Sequence, residues 1–259
     1  MDRADDDSVR FVVLSDFQEP FLKSPKMAST SSVLRKLFPK LYLSVSAHRK
    51  YARKPERGEP ELRLLPFLVD KNRTAIDIGA NKGLYTFYLS KLARKVYAFE
   101  PHPEYADFLA EASPSNVTVI CRAVADECGE AAFYTPSIDH SLHKNMATLT
   151  PKEADASHYE KKTVGVVSLD SLDIEDIGFI KIDIEGAEYR ALKGADRSLR
   201  KSRPVLLIEI LPGSRNRDDV FNYLKELGYI SLDLHDGVLR QRESVAGGDG
   251  RNYIFIPRE

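Results

Sequence analysis

Thr74-Ala75-Ile76-Asp77-Ile78-Gly79-Ala80-Asn81-Lys82-Gly83-Leu84-Tyr85-Thr86 decides how the rest of this chain is read. An apolar run, then Gly-x-x-x-Gly, then an amphipathic stretch is a buried strand turning into a helix. Gly79 lets the chain leave the strand sharply and lets backbone approach a ligand. Gly83 permits close helix packing, and the helix start offers free N–H groups to an anionic group. Asp77 changes the ligand expected there. A dinucleotide fold brings a pyrophosphate to these glycines, and a neighbouring carboxylate repels it while attracting an ammonium group. S-adenosylmethionine carries both an ammonium and a carboxylate on its amino-acid end.

Outward from this stretch the chain alternates apolar runs with helical ones. Strands are expected at Thr74–Ile78, Val96–Phe99, Val117–Ile120, Phe179–Ile184 and Val205–Ile210, and helices around Leu84–Ala93, Pro103–Ala112, Ala187–Leu192 and Arg217–Leu227. Such alternation builds a parallel sheet covered on both faces. Tyr229–Leu234 and Tyr253–Ile256 lack a crossover helix and are expected to pair antiparallel at the end of the sheet. A long polar insert runs from Phe133 to Ser168, with strand-like ends Ala131–Tyr134 and Thr163–Val167; long insertions at strand ends usually carry function. The second strand ends at Glu100, where an α/β nucleotide fold places the acid that accepts hydrogen bonds from both ribose hydroxyls. Pro101 is placed to form a wall beside an adenine, and Asp126, after the third strand, to accept from its amino group.

These residues make the sequence similar to the FkbM-type S-adenosylmethionine-dependent methyltransferases. The resemblance covers about Glu59 to Pro257 and rests on the stretch from Ala75 to Gly83, on Ala98-Phe99-Glu100-Pro101 and on Ser168-Leu169-Asp170. Above all it rests on Ile180-Lys181-Ile182-Asp183-Ile184-Glu185-Gly186-Ala187-Glu188. It implies a Rossmann-like class I methyltransferase fold, α/β, with a mostly parallel seven-stranded sheet whose last strand is antiparallel. It also implies O-methylation of hydroxyls on sugars, polyketides or other secondary metabolites. The cofactor-binding set is then Asp77, Gly79, Ala80, Asn81, Gly83, Glu100, Pro101 and Asp126. Methyl transfer needs a hydroxyl placed behind the methyl group and a base for its proton. Asp183 and Glu185, at the carboxyl end of the fourth strand, are candidates for that base. Glu209 ends the fifth strand beside the same crevice, and Glu188 reads as a helix-start acid complementing the dipole. His143, with His140, lies in the insert and titrates near working pH, which suits a base. No spaced ligand motif demands a metal. The alternatives are a catalytically idle binding module or an NAD(P)-dependent oxidoreductase.

Composition fits a soluble globular domain. Of 259 residues, 42% are hydrophobic and 30% charged, far from a disordered composition. Lys+Arg at 38 against Asp+Glu at 39 leaves net charge -1, so no uniform basic field exists to hold nucleic acid. The near-neutral total hides an asymmetry: residues 1–22 hold two basic against six acidic side chains, whereas residues 23–73 hold thirteen against four. Residues 1–60 are accordingly expected to be an appendage with an acidic head and a basic helix, before a methyltransferase domain at 61–259. Val33, Leu34, Leu37, Phe38, Leu41, Tyr42 and Val45 recur at helical spacing, with Pro39 expected to break or kink the helix. The expectation is that this helix lies on the main domain or a twin subunit in a homodimer, the alternative being contact with a membrane surface or partner protein. Met27 is a second candidate start. No apolar run reaches the length of a membrane span, the acidic start has the wrong sign for a signal peptide, and Cys121 and Cys128 are too few for a disulfide framework. A cytoplasmic enzyme acting on a small-molecule or glycan hydroxyl is expected.

Overall fold

The computed structural model describes residues 35–53, 59–136, 159–211, 214–235, 237–242 and 251–258. His140 and His143 lie outside them. The elements are α1 (Pro39–Tyr51), α2 (Leu65–Leu68), β1 (Thr74–Ile78), α3 (Leu84–Leu92), β2 (Lys95–Phe99), α4 (Pro103–Ala112), β3 (Val117–Ile120), β4 (Ala123–Val124), β5 (Gly129–Pro136) and β6 (Tyr159–Val167). After them come β7 (Ile177–Ile182), α5 (Glu188–Lys193), α6 (Asp196–Ser202), β8 (Val205–Glu209), α7 (Arg217–Glu226), β9 (Tyr229–His235), β10 (Val238–Arg242) and β11 (Asn252–Pro257).

The main sheet has the order β10-β9-β11-β8-β7-β1-β2-β3. Strands β1, β2, β3, β7 and β8 run parallel, and β11 is antiparallel to both β8 and β9. This is the expected seven-stranded arrangement with an antiparallel last strand. It is extended by an eighth, β10, which pairs antiparallel with β9 around Gly237. The central strands are apolar because both faces are covered: β1 and β7 are buried at every residue. One face packs Ile76, Ile180, Ile182, Leu206 and Phe221, and the other packs Ala75, Phe179, Leu207, Leu89 and Leu65.

A second, three-stranded sheet has the order β4-β6-β5. Its hairpin, β5 against β6, grows from the two strand-like ends of the insert, both longer than their apolar cores suggest. Phe133, Val164 and Val166 form a small core beneath it with Ala123 and Ala125.

At the N-terminal side residues 35–37 are helical, Phe38 is not, and a new helix starts at Pro39, so the helix breaks there as expected. A proline in the first helical position loses nothing, because its N–H would have no partner. The helix runs on to Tyr51 and buries Leu43 and Ala47 against α3 and α4, with Tyr42 edge-on to Phe108 at 5.8 Å. Val33 and Leu34 lie outside the described residues.

The chain reverses order at β1, whose successors lie on one side and β7 on the other. A crevice therefore opens beyond the carboxyl ends of β1, β2 and β7. The Gly79 and Ala80 N–H groups both donate to the Phe99 carbonyl at 3.0 Å, and the Asp183 N–H donates to the Ile78 carbonyl at 3.0 Å. These three bonds fix the floor of the crevice.

Candidate active site

The crevice has two compartments that share Gly79 and Asp183. The apolar one is lined by Ile78, Phe99, Pro101, Val124, Phe133 and Ile184. The polar one holds Asp77, Asn81, Glu100, Lys181, Glu185 and Glu209, and α1 contributes Leu43, Ser46, Ala47 and Lys50 to its wall.

Gly79 sits at φ +83°, and a Cβ there would lie 1.9 Å from the Asp183 carbonyl oxygen. Only glycine lets β1 and β7 approach this closely at the crevice floor. Gly83, at φ +82°, does not line the crevice; a Cβ there would meet Leu109 Cδ2 at 2.5 Å and Leu43 Cδ1 at 3.2 Å. Its work is to seat α3 against α4 and α1. Asn81 adopts φ +49°, which turns its N–H onto Glu100 Oε2 at 2.6 Å. The His102 N–H meets Glu100 Oε1 at 2.8 Å, so both carboxyl oxygens of Glu100 are held in place. Burial lifts the Glu100 carboxyl to about 7 against the pull of these two N–H groups.

Asp77 is 2% exposed and accepts the Thr86 hydroxyl at 2.5 Å. Burial raises its carboxyl to about 6, with the Thr86 hydroxyl and Lys181 opposing. Lys181 stands opposite Asp77 in the β1/β7 register and is 1% exposed. Its ammonium lies 3.5 Å from Asp183 Oδ2 and 5.0 Å from the centre of the Tyr85 ring. Burial pulls that ammonium down, but Asp183, Glu209, Glu59 and Asp77 outweigh it and hold it above the ordinary lysine value.

Glu185 follows at φ +53° in the turn after β7, and burial together with Asp183 and Glu188 lifts it to about 7. Glu188 is buried and accepts the Gly186 N–H at 2.8 Å, which shapes this turn. Asp126 does not line either compartment. It pairs with Arg190, Nε to Oδ1 at 2.8 Å, and this ion pair holds its carboxyl below the usual range.

Six carboxylates (Glu59, Asp77, Glu100, Asp183, Glu185 and Glu209) line the polar compartment with three lysines (Lys50, Lys82 and Lys181). The surplus of negative charge suits a cationic ligand and opposes a pyrophosphate. Among the described residues no group of three or more His, Cys, Asp or Glu is arranged to hold a metal ion. The donors fit S-adenosylmethionine: an acid paired with two loop N–H groups, a buried acid at the glycine turn, and an apolar slot beside both.

Three features of the site escape a reading of the residues alone. Lys181 interrupts an otherwise apolar strand two positions before Asp183, and that parity is the signal that both face one side. Glu59 and the α1 wall carry no such signal, because only the tertiary packing brings them to the crevice.

The sequence profile of the Methyltransferase FkbM domain matches residues 77–231, from the crevice acid of β1 to β9. This chain belongs to the FkbM methyltransferase family. Within that setting, the FkbM-family chain is 28% identical over 167 residues to the hexuronic acid methyltransferase AglP of Haloferax volcanii, covering 62% of this chain and 66% of that protein. It is 26% identical over 192 residues to the methyltransferase sdnD of Sordaria araneosa, covering 61% and 74%. The crystal structure of methyltransferase FkbM from Methylobacillus flagellatus superposes with a TM-score of 0.50 at 21% identity, over 83% of this chain and 56% of that one. The FkbM-family chain thus spans just under two thirds of AglP and little more than half of the bacterial structure, and the likeness to the latter is one of fold.

Proposed function

We propose that this chain is an S-adenosylmethionine-dependent O-methyltransferase acting on a hydroxyl of a saccharide or secondary metabolite. The observation that carries this reading is the acid-lined crevice at the reversal of strand order, with Asp77, Gly79 and Glu100 in the places that an adenosyl ligand with an ammonium group requires. The name of AglP, a hexuronic acid methyltransferase, favours a saccharide acceptor.

When bound, the cofactor supplies an electrophilic methyl group. Glu100, fixed by the Asn81 and His102 N–H groups, keeps its remaining lone pairs for the ribose hydroxyls. Asp77 attracts the ammonium, and the backbone from Gly79 through Ala80 to Asn81 lies against the amino-acid end. Pro101, Phe99 and Ile184 form the apolar slot for the adenine. Asp126, which lines neither compartment and pairs with Arg190, is not used for the adenine amino group. Asp183 borders both compartments and is the group that takes the acceptor proton; the Lys181 ammonium 3.5 Å from its Oδ2 holds it in place. Glu185 and the insert residue His143 are the other candidates for that proton. Among the described residues no helix is long and apolar enough to cross a membrane, and we place the enzyme in the cytoplasm.

A methyl-transfer screen with labelled S-adenosylmethionine against uronosides, neutral glycosides and hydroxylated metabolites tests the reading. Label is expected on an ether oxygen of a hydroxylated acceptor. Transfer confined to nitrogen or carbon would overturn O-methylation.

A further inference from the structure

The charge of the polar compartment is arranged with a bias that cofactor binding alone does not use. Asp183 and Glu209 leave the carboxyl ends of the adjacent parallel strands β7 and β8, and both line the compartment. The register pairs Ile182 with Ile208, so Asp183 and Glu209 follow one residue on at neighbouring strand ends. Two carboxyl groups crowded into one poorly solvated site keep a proton between them, because two carboxylates there repel and have acceptors but no donor. Lys181, wholly buried, fixes a single positive charge behind the pair, 3.5 Å from Asp183 Oδ2. Asp77 faces that same ammonium from β1.

The other lysines that line the compartment, Lys50 of α1 and Lys82 of the loop after β1, are half-buried and exposed, so among the described residues that line it Lys181 is the one buried cation. From α3 comes Tyr85, 6% exposed, which lines the compartment and faces Glu59, Glu61 and Asp183. From the approach to α2 come Glu59, which lines the compartment, and the buried Glu61, which faces Lys181 and Asn252. From the turn after β7 comes Glu185, on which Arg251, before β11, acts in the opposite sense. Burial, then Asp183, raise the Glu209 carboxyl to about 8, with Lys181 opposing and Glu185 adding.

We propose that the Asp183–Glu209 pair holds one proton in the cofactor-free enzyme and releases it to solvent when a sulfonium-bearing cofactor binds, so that the cofactor's own charge prepares the base. The inference rests on the methyltransferase reading above. A fixed positive charge entering a poorly solvated compartment favours ionisation of the neighbouring acids. The ionised pair then has room for the proton that the acceptor hydroxyl gives up. With the neutral thioether product no charge opposes that proton, and the pair retains it until the next cofactor arrives.

Calorimetry at pH 7.0 in buffers of different ionisation enthalpy counts protons released on binding. S-adenosylmethionine and S-adenosylhomocysteine carry the same ammonium and carboxylate, so their difference isolates the sulfonium. Release of roughly 0.5 to 1 proton is expected with the first and close to none with the second. Glu209→Gln supplies a permanent donor to Asp183 and is expected to bind both ligands with no difference in proton count. Asp183→Asn, which breaks the pair from the other side, is expected to do the same. Equal proton counts for the two ligands in the natural protein, or an undiminished difference in either variant, would overturn the proposal while leaving the methyltransferase reading intact. Failure of the natural protein to bind either ligand would overturn that reading and this inference with it.

Discussion

Replacing Gly79 with alanine measures the geometry on which the site depends. Two costs follow from the structure. The residue sits at φ +83°, where an L side chain costs about 1–2 kcal/mol. In addition, the new Cβ would stand 1.9 Å from the Asp183 carbonyl oxygen, 2.9 Å from its carbon and 3.0 Å from Ile184 Cγ2. Both nearest atoms are backbone, so the end of β7 has to retreat by about 1 Å, at the roughly 1–3 kcal/mol typical of overpacking. That retreat pulls on the bond from the Asp183 N–H to the Ile78 carbonyl and carries Asp183 away from Lys181. The total, about 2–5 kcal/mol, corresponds to a melting point lowered by roughly 5–15 °C for a chain of this size. Gly237→Ala is the control: it has φ +77° but nothing within 4 Å of the new Cβ, so only the strain of about 1–2 kcal/mol applies. Thermal melts of the two variants, with S-adenosylmethionine titrations on each, separate strain from contact. If Gly79→Ala melted no lower than Gly237→Ala and bound the cofactor as the natural protein does, the close approach of β1 and β7 would not be what the glycine serves.

Other outcomes follow from the same residues. Asp77, Glu100, Glu185 and Glu209 are raised to about 6, 7, 7 and 8. In the unfolded chain such acids ionise first, near pH 4 to 4.5, so between there and about pH 8 the folded state binds more protons and stability falls as pH rises. Asp77 alone is worth of the order of 3 kcal/mol. Melting of the cofactor-free protein is therefore expected to drop between pH 5 and 8, less so with S-adenosylmethionine present, and a flat or rising profile would refute this. Lys181→Met removes the buried cation and is expected to cost about 3–5 kcal/mol in urea unfolding at pH 8, and less at pH 5, where the carboxyls take up protons instead; equal losses at both pH values would contradict the charge-balancing role. Asp183→Ala is expected to bind cofactor but lose at least about 100-fold in turnover, and near-normal turnover would remove Asp183 from the mechanism.

Much of the fold was legible because buried parallel strands are nearly continuous apolar runs, and β1, β3 and α4 begin and end where the residues place them. Strand β10 was not legible. Val238-Leu239-Arg240-Gln241-Arg242 is an edge strand with a half-polar pattern, and its pairing depends on the turn at Gly237. Helix α6 was also unread, since it is seven residues long and rich in Asp, Arg, Lys and Ser, with Leu199 its single buried apolar anchor. Asp77, Gly79, Ala80, Asn81 and Glu100 come together in the polar compartment and Pro101 in the apolar one, as local motif spacing requires. Gly83, read from the sequence both as a helix-packing residue and as part of the cofactor set, packs α3 against α4 and α1. Lys181 was visible only as a letter in a motif, because charge compensation among acids from β1, β7 and β8 is a property of the sheet and not of any one segment.

The central claim is that the crevice takes a cationic adenosyl cofactor, and equilibrium binding tests it most directly. Purified protein titrated with S-adenosylmethionine, S-adenosylhomocysteine and NAD in a calorimeter should bind the first two with micromolar dissociation constants and give no heat with NAD. Glu100→Gln should weaken both adenosyl ligands by roughly 10- to 100-fold, the worth of hydrogen bonds to a charged acceptor. Binding of NAD in preference to S-adenosylmethionine, or an unaltered affinity in Glu100→Gln, would contradict the account.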